Sequence, residues 1–453
     1  MQNTENLGLR LKSILQEWHE FPLPDIVPRQ VDTQPLFSSR ISSVIGPRRA
    51  GKTWFCFQMM SELLGKGLPR ENLLYINFED ERLHPLTGNE LTLLLETHTE
   101  LMNPKKDKEL WCFLDEIQNV PNWSKWVRRV TDQNRNVHVV VTGSSSKLLS
   151  TEIATELRGR SVSATILPYS FHEFLIAHHS QGLKNGFNDP SLIFSPKRIE
   201  IKRIYRLYLL KGGFPGLPDE GYRDILQEYY RAMFSRDIIE RFKVQNIRLF
   251  EDFLKVQISR FASLSSISNL EKEMVGLGYR LSKNTLNAYL GYAKDTFLLF
   301  EAPIYSAKVK NQLLYPRKIY GIDQGLLNAI RFSTSKDNGR ILENMVYLEL
   351  RRRKFDLYYS SDPKTKSECD FLIVKNRKVI QAIQVCYALE SDKTKSREIR
   401  GLIDAMETYG LKQGLILTDD QHDEIKIEGK KILIQPFWFF ALIPVTFSPL
   451  HQT

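Results

Sequence analysis

At 453 residues the chain is longer than one hydrophobic core fills, so two to four domains are expected. With 42% hydrophobic and 26% charged residues its composition is that of a soluble globular protein. A formal charge of +10 suits nucleic acid as a partner without demanding it, and four cysteines with no C-x-x-C pair speak against a disulfide framework or a zinc site.

Residues 1–36 read as an N-terminal arm, with a short amphipathic helix from Leu9 to Trp18 and a linker carrying Pro22, Pro24, Pro28 and Pro35. Met1-Gln-Asn-Thr-Glu lacks the basic-then-apolar pattern of a signal peptide, and the unpaired cysteines suit a reducing compartment, so a cytoplasmic location is expected.

Residues 37–180 alternate strand and helix patterns. Apolar runs at Ile41–Ile45, Leu73–Phe78, Trp111–Leu114, Val137–Val141 and Ala164–Leu167 predict a parallel sheet buried on both faces. The first run enters Gly46-Pro47-Arg48-Arg49-Ala50-Gly51-Lys52-Thr53, and a helical pattern follows from Trp54 to Leu64. G-x-x-x-x-G-K-[ST] between a strand and a helix is a phosphate-binding loop. Backbone N–H groups must approach phosphate oxygens closely, which a side chain at Gly51 would obstruct. The helix N-terminus adds partial positive charge. Lys52 can reach the β- and γ-phosphates of ATP, and Thr53 can ligate Mg²⁺. The arm is expected to lie over this nucleotide edge.

The third run ends in Asp115-Glu116. Two carboxylates at the tip of a buried strand are costly unless they have a task. Beside a phosphate loop, Asp115 would hold Mg²⁺ with Thr53, and Glu116 would polarise the attacking water. The adjacent glutamate, and the extra strand between the motifs, point to the additional-strand, catalytic-glutamate branch of phosphate-loop enzymes. The fourth run ends in Thr142-Gly143-Ser144, where Thr142 or Ser144 could sense the γ-phosphate; a plain Gly/Ser turn would read the same. Arg158 or Arg160 could stabilise transition-state charge, within the chain or across a subunit boundary.

Gly46–Thr53, Leu114-Asp-Glu116, Val141-Thr-Gly-Ser-Ser145, Leu157-Arg-Gly-Arg160, Leu167-Pro-Tyr-Ser-Phe-His-Glu-Phe174, Gly212-Gly-Phe-Pro215 and Arg236-Asp-Ile-Ile239 together resemble an AAA+-related prokaryotic ATPase family, often archaeal, with a C-terminal domain of unknown function. The likeness covers nearly the whole chain. It implies an AAA+-like, P-loop α/β ATPase domain over 37–180 and a helical lid over 181–246, with ATP and Mg²⁺ as cofactors.

Within 181–246, Ile204, Leu207, Tyr208, Leu210, Ile225, Tyr229, Phe234 and Ile238 recur at helical spacing and read as packing residues rather than a base-stacking platform. Residues 247–323 show helix patterns at Phe250–Phe261, Ser265–Val275 and from Leu281, then strands at Leu298–Pro303 and Leu313–Ile319 around a basic turn, Lys308-Val-Lys310. That order is a winged helix-turn-helix, and the family's S-x-x-T-x-x-x-Y-L pattern is matched by Ser282, Thr285, Tyr289 and Leu290. Lys283, Asn284 and Asn287 would face a DNA groove, with Lys308 and Lys310 on phosphates; docking on protein is the alternative.

Residues 324–453 carry a helix around Glu343 and strands at Phe355–Tyr359, Glu368–Val374 and Val379–Tyr387. This resembles the PD-(D/E)XK nuclease fold, with Glu343 and Asp370 at the helix and strand positions. The E-x-K of that fold is replaced by Gln384-Val385-Cys386, which predicts an inactive domain kept for binding or assembly. Ile432–Phe447, interrupted by Gln435, Pro436 and Pro444, is too short to span a membrane and reads as buried strands. A homo-oligomer or a protein partner is compatible with all of this.

Overall fold

The computed structural model describes residues 2–84, 86–88, 90–144, 161–178, 190–331, 337–362 and 367–443. Two compact units emerge: Met1–Leu167 with Asp295–Phe297, and Pro168–Lys294 with Leu298–Thr453.

The first unit is built on five strands, β1 (Ile41–Ile45), β2 (Leu73–Asn77), β3 (Leu110–Asp115), β4 (Val137–Gly143) and β5 (Ser161–Thr165). Their order is β2-β3-β4-β1-β5, and every neighbouring pair is parallel. Apolar residues on both faces of β3 and β4 demand cover on both sides. The helix Lys52–Gly65 covers one face with Phe55, Met59 and Met60 against Val44, Trp111, Phe113 and Val140. Helices Leu91–Met102 and Trp123–Gln133 cover the other, joined by Leu7, Leu11, Ile14 and Leu15 of an N-terminal helix that runs from Gln2 to Glu20. That helix is longer than its apolar stripe suggested. β5 begins three residues before the predicted run. It is an edge strand with exposed serine and threonine, so its sequence lacks the apolar signal of a central strand.

The second unit opens with helices Phe171–His178, Lys197–Lys211 and Tyr222–Ala232, the last continuing as a π-helix, Met233–Glu240. Then come the helix Ile247–Ser259, β6 (Ser263–Ser265), helices Ile267–Gly276 and Lys283–Asp295, β7 (Leu299–Ala302), a short helix Val309–Leu314, and β8 (Arg317–Gly321). The strands pair antiparallel in the order β6-β8-β7. The strand expected over Leu313–Ile319 begins only at Arg317 and runs to Gly321. The basic turn at Lys308–Lys310 is the start of a helical turn, in which Lys308 N–H donates to Ser306 Oγ, and Pro316 ends the turn before β8. β6, only three residues long, was not anticipated.

The rest of the unit runs through the helix Asn338–Arg352, β9 (Asp356–Ser361), β10 (Glu368–Lys375), β11 (Lys378–Val385), the helix Asp392–Thr408, β12 (Gln413–Thr418), β13 (Asp423–Ile427), β14 (Lys430–Pro436) and the helix Phe437–Leu442. The sheet order is β13-β14-β12-β11-β10-β9. β9, β10 and β11 form an antiparallel meander, and β12 adds in parallel to β11. The stretch after Ile432 is strand only to Pro436. Proline cannot extend a ladder, and the six residues that follow are buried all round as a helical turn. All four cysteines are free and buried. No helix among the described residues is long and apolar enough to cross a membrane.

Candidate nucleotide site

The register of the first sheet brings the chemistry together. β1 lies beside β4, and β4 beside β3, so the loop after Ile45 and the tip at Asp115 leave the same edge on either side of Thr142. The loop backbone needs conformations that side chains resist: Gly51 has φ 94° and Arg49 has φ 65°. At Gly46, with φ 156°, an added Cβ would lie 2.0 Å from the Ile166 carbonyl oxygen. Pro47 and Ala50 are buried, Arg49 is exposed, and Arg48 pairs with Glu79 at 3.1 Å.

Lys52, the first helical residue, is 5% exposed. Its Nζ lies 3.3 Å from Glu116 Oε1 and donates to the Pro47 carbonyl at 3.3 Å. Thr53 Oγ1 donates to Asp115 Oδ2 at 2.7 Å. Asp115 is almost fully buried and is held by three hydroxyls: Thr53, Tyr75 at 3.0 Å on the same oxygen, and Thr142 on Oδ1. Burial raises the Asp115 carboxyl and Glu116 adds to that, while the bonds from Thr142 and Thr53 oppose it.

Glu116 stands in the left-handed region at φ 53°, a strained position for a glutamate. Its N–H donates to Thr142 Oγ1 at 2.9 Å, and its Oε2 accepts from Gln118 Nε2 at 2.5 Å. Burial alone would raise its carboxyl, but Lys52, Gln118 and Arg48 together hold it below the ordinary glutamate range. It is therefore ionised and positioned at neutral pH.

Gly46–Thr53, Asp115, Glu116 and Thr142 thus converge. A hydroxyl and a carboxylate 2.7 Å apart, beside a helix N-terminus and a buried lysine, fit a Mg²⁺-bound triphosphate. Thr142 points at Asp115 and braces the acidic tip, and Ser144 is buried just beyond it. Arg158 and Arg160 lie outside the described residues.

Two contributors were missed by sequence reasoning. Tyr75 sits inside an ordinary apolar strand pattern, with nothing local to mark its hydroxyl. Arg29 lies in the proline-rich linker; its guanidinium is buried and donates to the Ala50 carbonyl at 2.9 Å and to the Leu167 carbonyl. The arm thus supports the phosphate loop from behind, a role its proline-rich composition did not signal.

Comparison with known proteins divides the chain into three matched regions. A model described as "AAA domain" matches residues 38–175, and two domains of unknown function, DUF8612 and DUF4143, match 202–337 and 338–438. The chain is similar to the uncharacterized protein MJ1544 of Methanocaldococcus jannaschii, with 36% identity over 92% of this chain and 91% of that one. An uncharacterized protein of Haemophilus influenzae is 28% identical over 88% of this chain and 94% of its own length. Among solved structures, the Walker-type ATPase PABY2304 of Pyrococcus abyssi aligns over 69% of this chain and all of that chain, at 14% identity and a TM-score of 0.44.

Proposed function

The chain belongs to the same family as the Methanocaldococcus jannaschii protein, and we propose that it is a Mg²⁺-dependent ATPase whose nucleotide state controls a DNA-directed second unit. One observation carries the enzymatic part: Lys52, Thr53, Asp115 and Glu116 meet beside a loop whose Arg49 and Gly51 take left-handed backbone conformations.

The geometry supports these roles. Backbone N–H groups of Gly46–Thr53 cradle the phosphates. Lys52 leaves Glu116 and the Pro47 carbonyl for the β- and γ-phosphate oxygens. Thr53 and Asp115 would hold Mg²⁺, which would supply charge neutralisation at the phosphates. Glu116, released by Lys52, accepts the proton of the attacking water. Thr142 fixes both carboxylate-bearing residues through Asp115 Oδ1 and the Glu116 N–H. An arginine, Arg158 or Arg160, completes the charge on the γ-phosphate, within the chain or across a subunit boundary.

The order helix, β6, helix, helix, β7, β8, with β8 between β6 and β7, supports a winged-helix reading of 247–323. Lys283, Asn284 and Asn287 are exposed on one helix, as are Lys308 and Lys310 before β8, which suits DNA contact. The order helix, three antiparallel strands, helix, parallel strand supports a nuclease-like reading of the last domain. Gln384 stands where its carboxylate would be, which favours an inactive one.

A switch with little turnover is the second reading, and the Lys52–Glu116 ion pair favours it, since that pair must break before water can be activated. Mg²⁺-dependent phosphate release, with and without DNA, separates the two. We expect release by the unaltered chain to fall by about 100-fold or more in Glu116→Gln while nucleotide binding persists. Equal rates in the two proteins would favour the switch. DNA affinity that ignores ADP, a non-hydrolysable ATP analogue and the absence of nucleotide would remove the coupling.

A further inference from the structure

The second unit contains a buried cation that the nucleotide reading does not use. Lys318 lies at the centre of the three-stranded sheet, on β8, paired on one side with Leu264 and on the other with Ala302. It is 2% exposed. Its Nζ lies 2.6 Å from Asp370 Oδ1 on β10, 2.6 Å from Glu368 Oε1 on the same strand, and 3.1 Å from Glu343 Oε1 on the helix Asn338–Arg352.

We infer that the Lys318 ammonium is the resident cation of this carboxylate cluster and closes it to divalent metal ions. Three carboxylates surround the ammonium: it donates to Asp370 Oδ1 and Glu343 Oε1, and Glu368 pairs with it as a third negative charge. The nitrogen sits at their common focus. A Mg²⁺ or Mn²⁺ ion ligated by the same oxygens at about 2.0–2.2 Å would occupy nearly the same point as Nζ. Mutual repulsion and overlap forbid both. The strand pairs on either side of Lys318 fix its backbone, and its burial leaves the side chain no solvent-exposed alternative.

Further hydrogen bonds hold two of these acids in place. Glu343 Oε1 accepts from the Tyr320 hydroxyl at 2.8 Å, and Asp370 Oδ2 accepts from the Val385 N–H at 2.9 Å. Glu368 reaches solvent, with its side chain 36% exposed, so part of its charge is met by water. Gln384 accepts from the Asp370 N–H at 3.2 Å and donates to Glu398 at 2.5 Å, so it is a neutral bridge between two acids. Burial would lower the Lys318 ammonium, but Asp370, Glu343 and Glu368 outweigh it and keep the lysine charged across the working pH range. A buried ammonium so placed does for these acids what a metal ion does in a carboxylate site, without exchange with solvent.

Mn²⁺ binding to the nucleotide-free full-length protein tests this, read as free Mn²⁺ by electron paramagnetic resonance. The unaltered chain and Asp370→Asn should bind Mn²⁺ alike. Lys318→Met should gain a site at least about tenfold tighter than any in the unaltered chain, and the gain should vanish in Lys318→Met with Asp370→Asn. Mn²⁺ binding by the unaltered chain that weakens in Asp370→Asn would overturn the inference, because the lysine would then coexist with metal. A folded Lys318→Met chain with no gain would overturn it too. Should Lys318→Met fail to fold, thermal melting decides: a Mn²⁺-induced rise in Tm that the unaltered chain shows and Asp370→Asn lacks refutes the closure, and equal responses uphold it.

Discussion

His98 offers a pH dependence whose size can be worked out. It lies on the helix Leu91–Met102, is 2% exposed, and has its Nε2 3.0 Å from the Glu71 carbonyl. Burial lowers its pKa from the ordinary 6.5 to about 4, against the opposing pull of that carbonyl. Below pH 6.5 the unfolded chain therefore binds a proton that the folded chain refuses. The contribution to stability is intact above pH 6.5 and is lost as pH falls through that window towards 4. The gap between 6.5 and about 4 sets the full loss at about 3 kcal/mol. Urea unfolding at pH 7 and pH 4.5, followed by tryptophan fluorescence, reads it well, because Trp18, Trp54, Trp111, Trp123 and Trp126 report on this unit and only Trp438 on the other. His98→Gln keeps a donor for the Glu71 carbonyl and removes the titration. Between the two pH values it should lose about 2 kcal/mol less than the unaltered chain. A variant with the same acid sensitivity as the unaltered chain would show that His98 does not carry the effect.

Other outcomes follow from the nucleotide site. Tyr75→Phe keeps the ring against Trp18 and Phe57 but releases Asp115 Oδ2 from one of its two donors, so the Mg²⁺ concentration for half-maximal phosphate release should rise by about tenfold, worth about 1.4 kcal/mol, with nucleotide binding in EDTA unchanged. Equal losses with and without Mg²⁺ would mark a merely structural effect. Arg29→Ala strips donors from the Ala50 and Leu167 carbonyls and should destabilise the first unit by about 2–3 kcal/mol in urea, with Arg29→Lys recovering only part because a single ammonium cannot reproduce the fork. An unchanged urea midpoint in Arg29→Ala would show that the arm does not support the loop.

What was legible in the sequence was what is local in it. Gly46–Thr53 reads as a phosphate loop because eight neighbouring residues carry the whole geometry, and Asp115-Glu116 reads as its partner because a buried strand ending in acids is conspicuous. Residues that reach the same atoms from afar were invisible. Tyr75 meets Asp115 across 40 residues, Arg29 meets Ala50 across 21, and Lys318 meets Asp370 across 52. Each is a common residue type in an unremarkable stretch, and only strand order brings it home. Short elements failed for another reason. Val309–Leu314 and Phe437–Leu442 are each six residues, too few to show a period, so Leu313 and Leu314 and the run after Pro436 read as strand on apolar content alone.

The lysine clasp bears on how the chain can be dissected. The two families of unknown function meet between 337 and 338, which invites a cut there. Lys318 falls on one side of that boundary, and Glu343, Glu368 and Asp370 fall on the other. A fragment starting at 338 would inherit three acids with no counter-ion, and one ending at 337 would expose a lysine and a strand with nothing to receive them. Recognisable sequence modules and self-sufficient folding units therefore part company here, and a stable piece of the C-terminal half should begin upstream of β6.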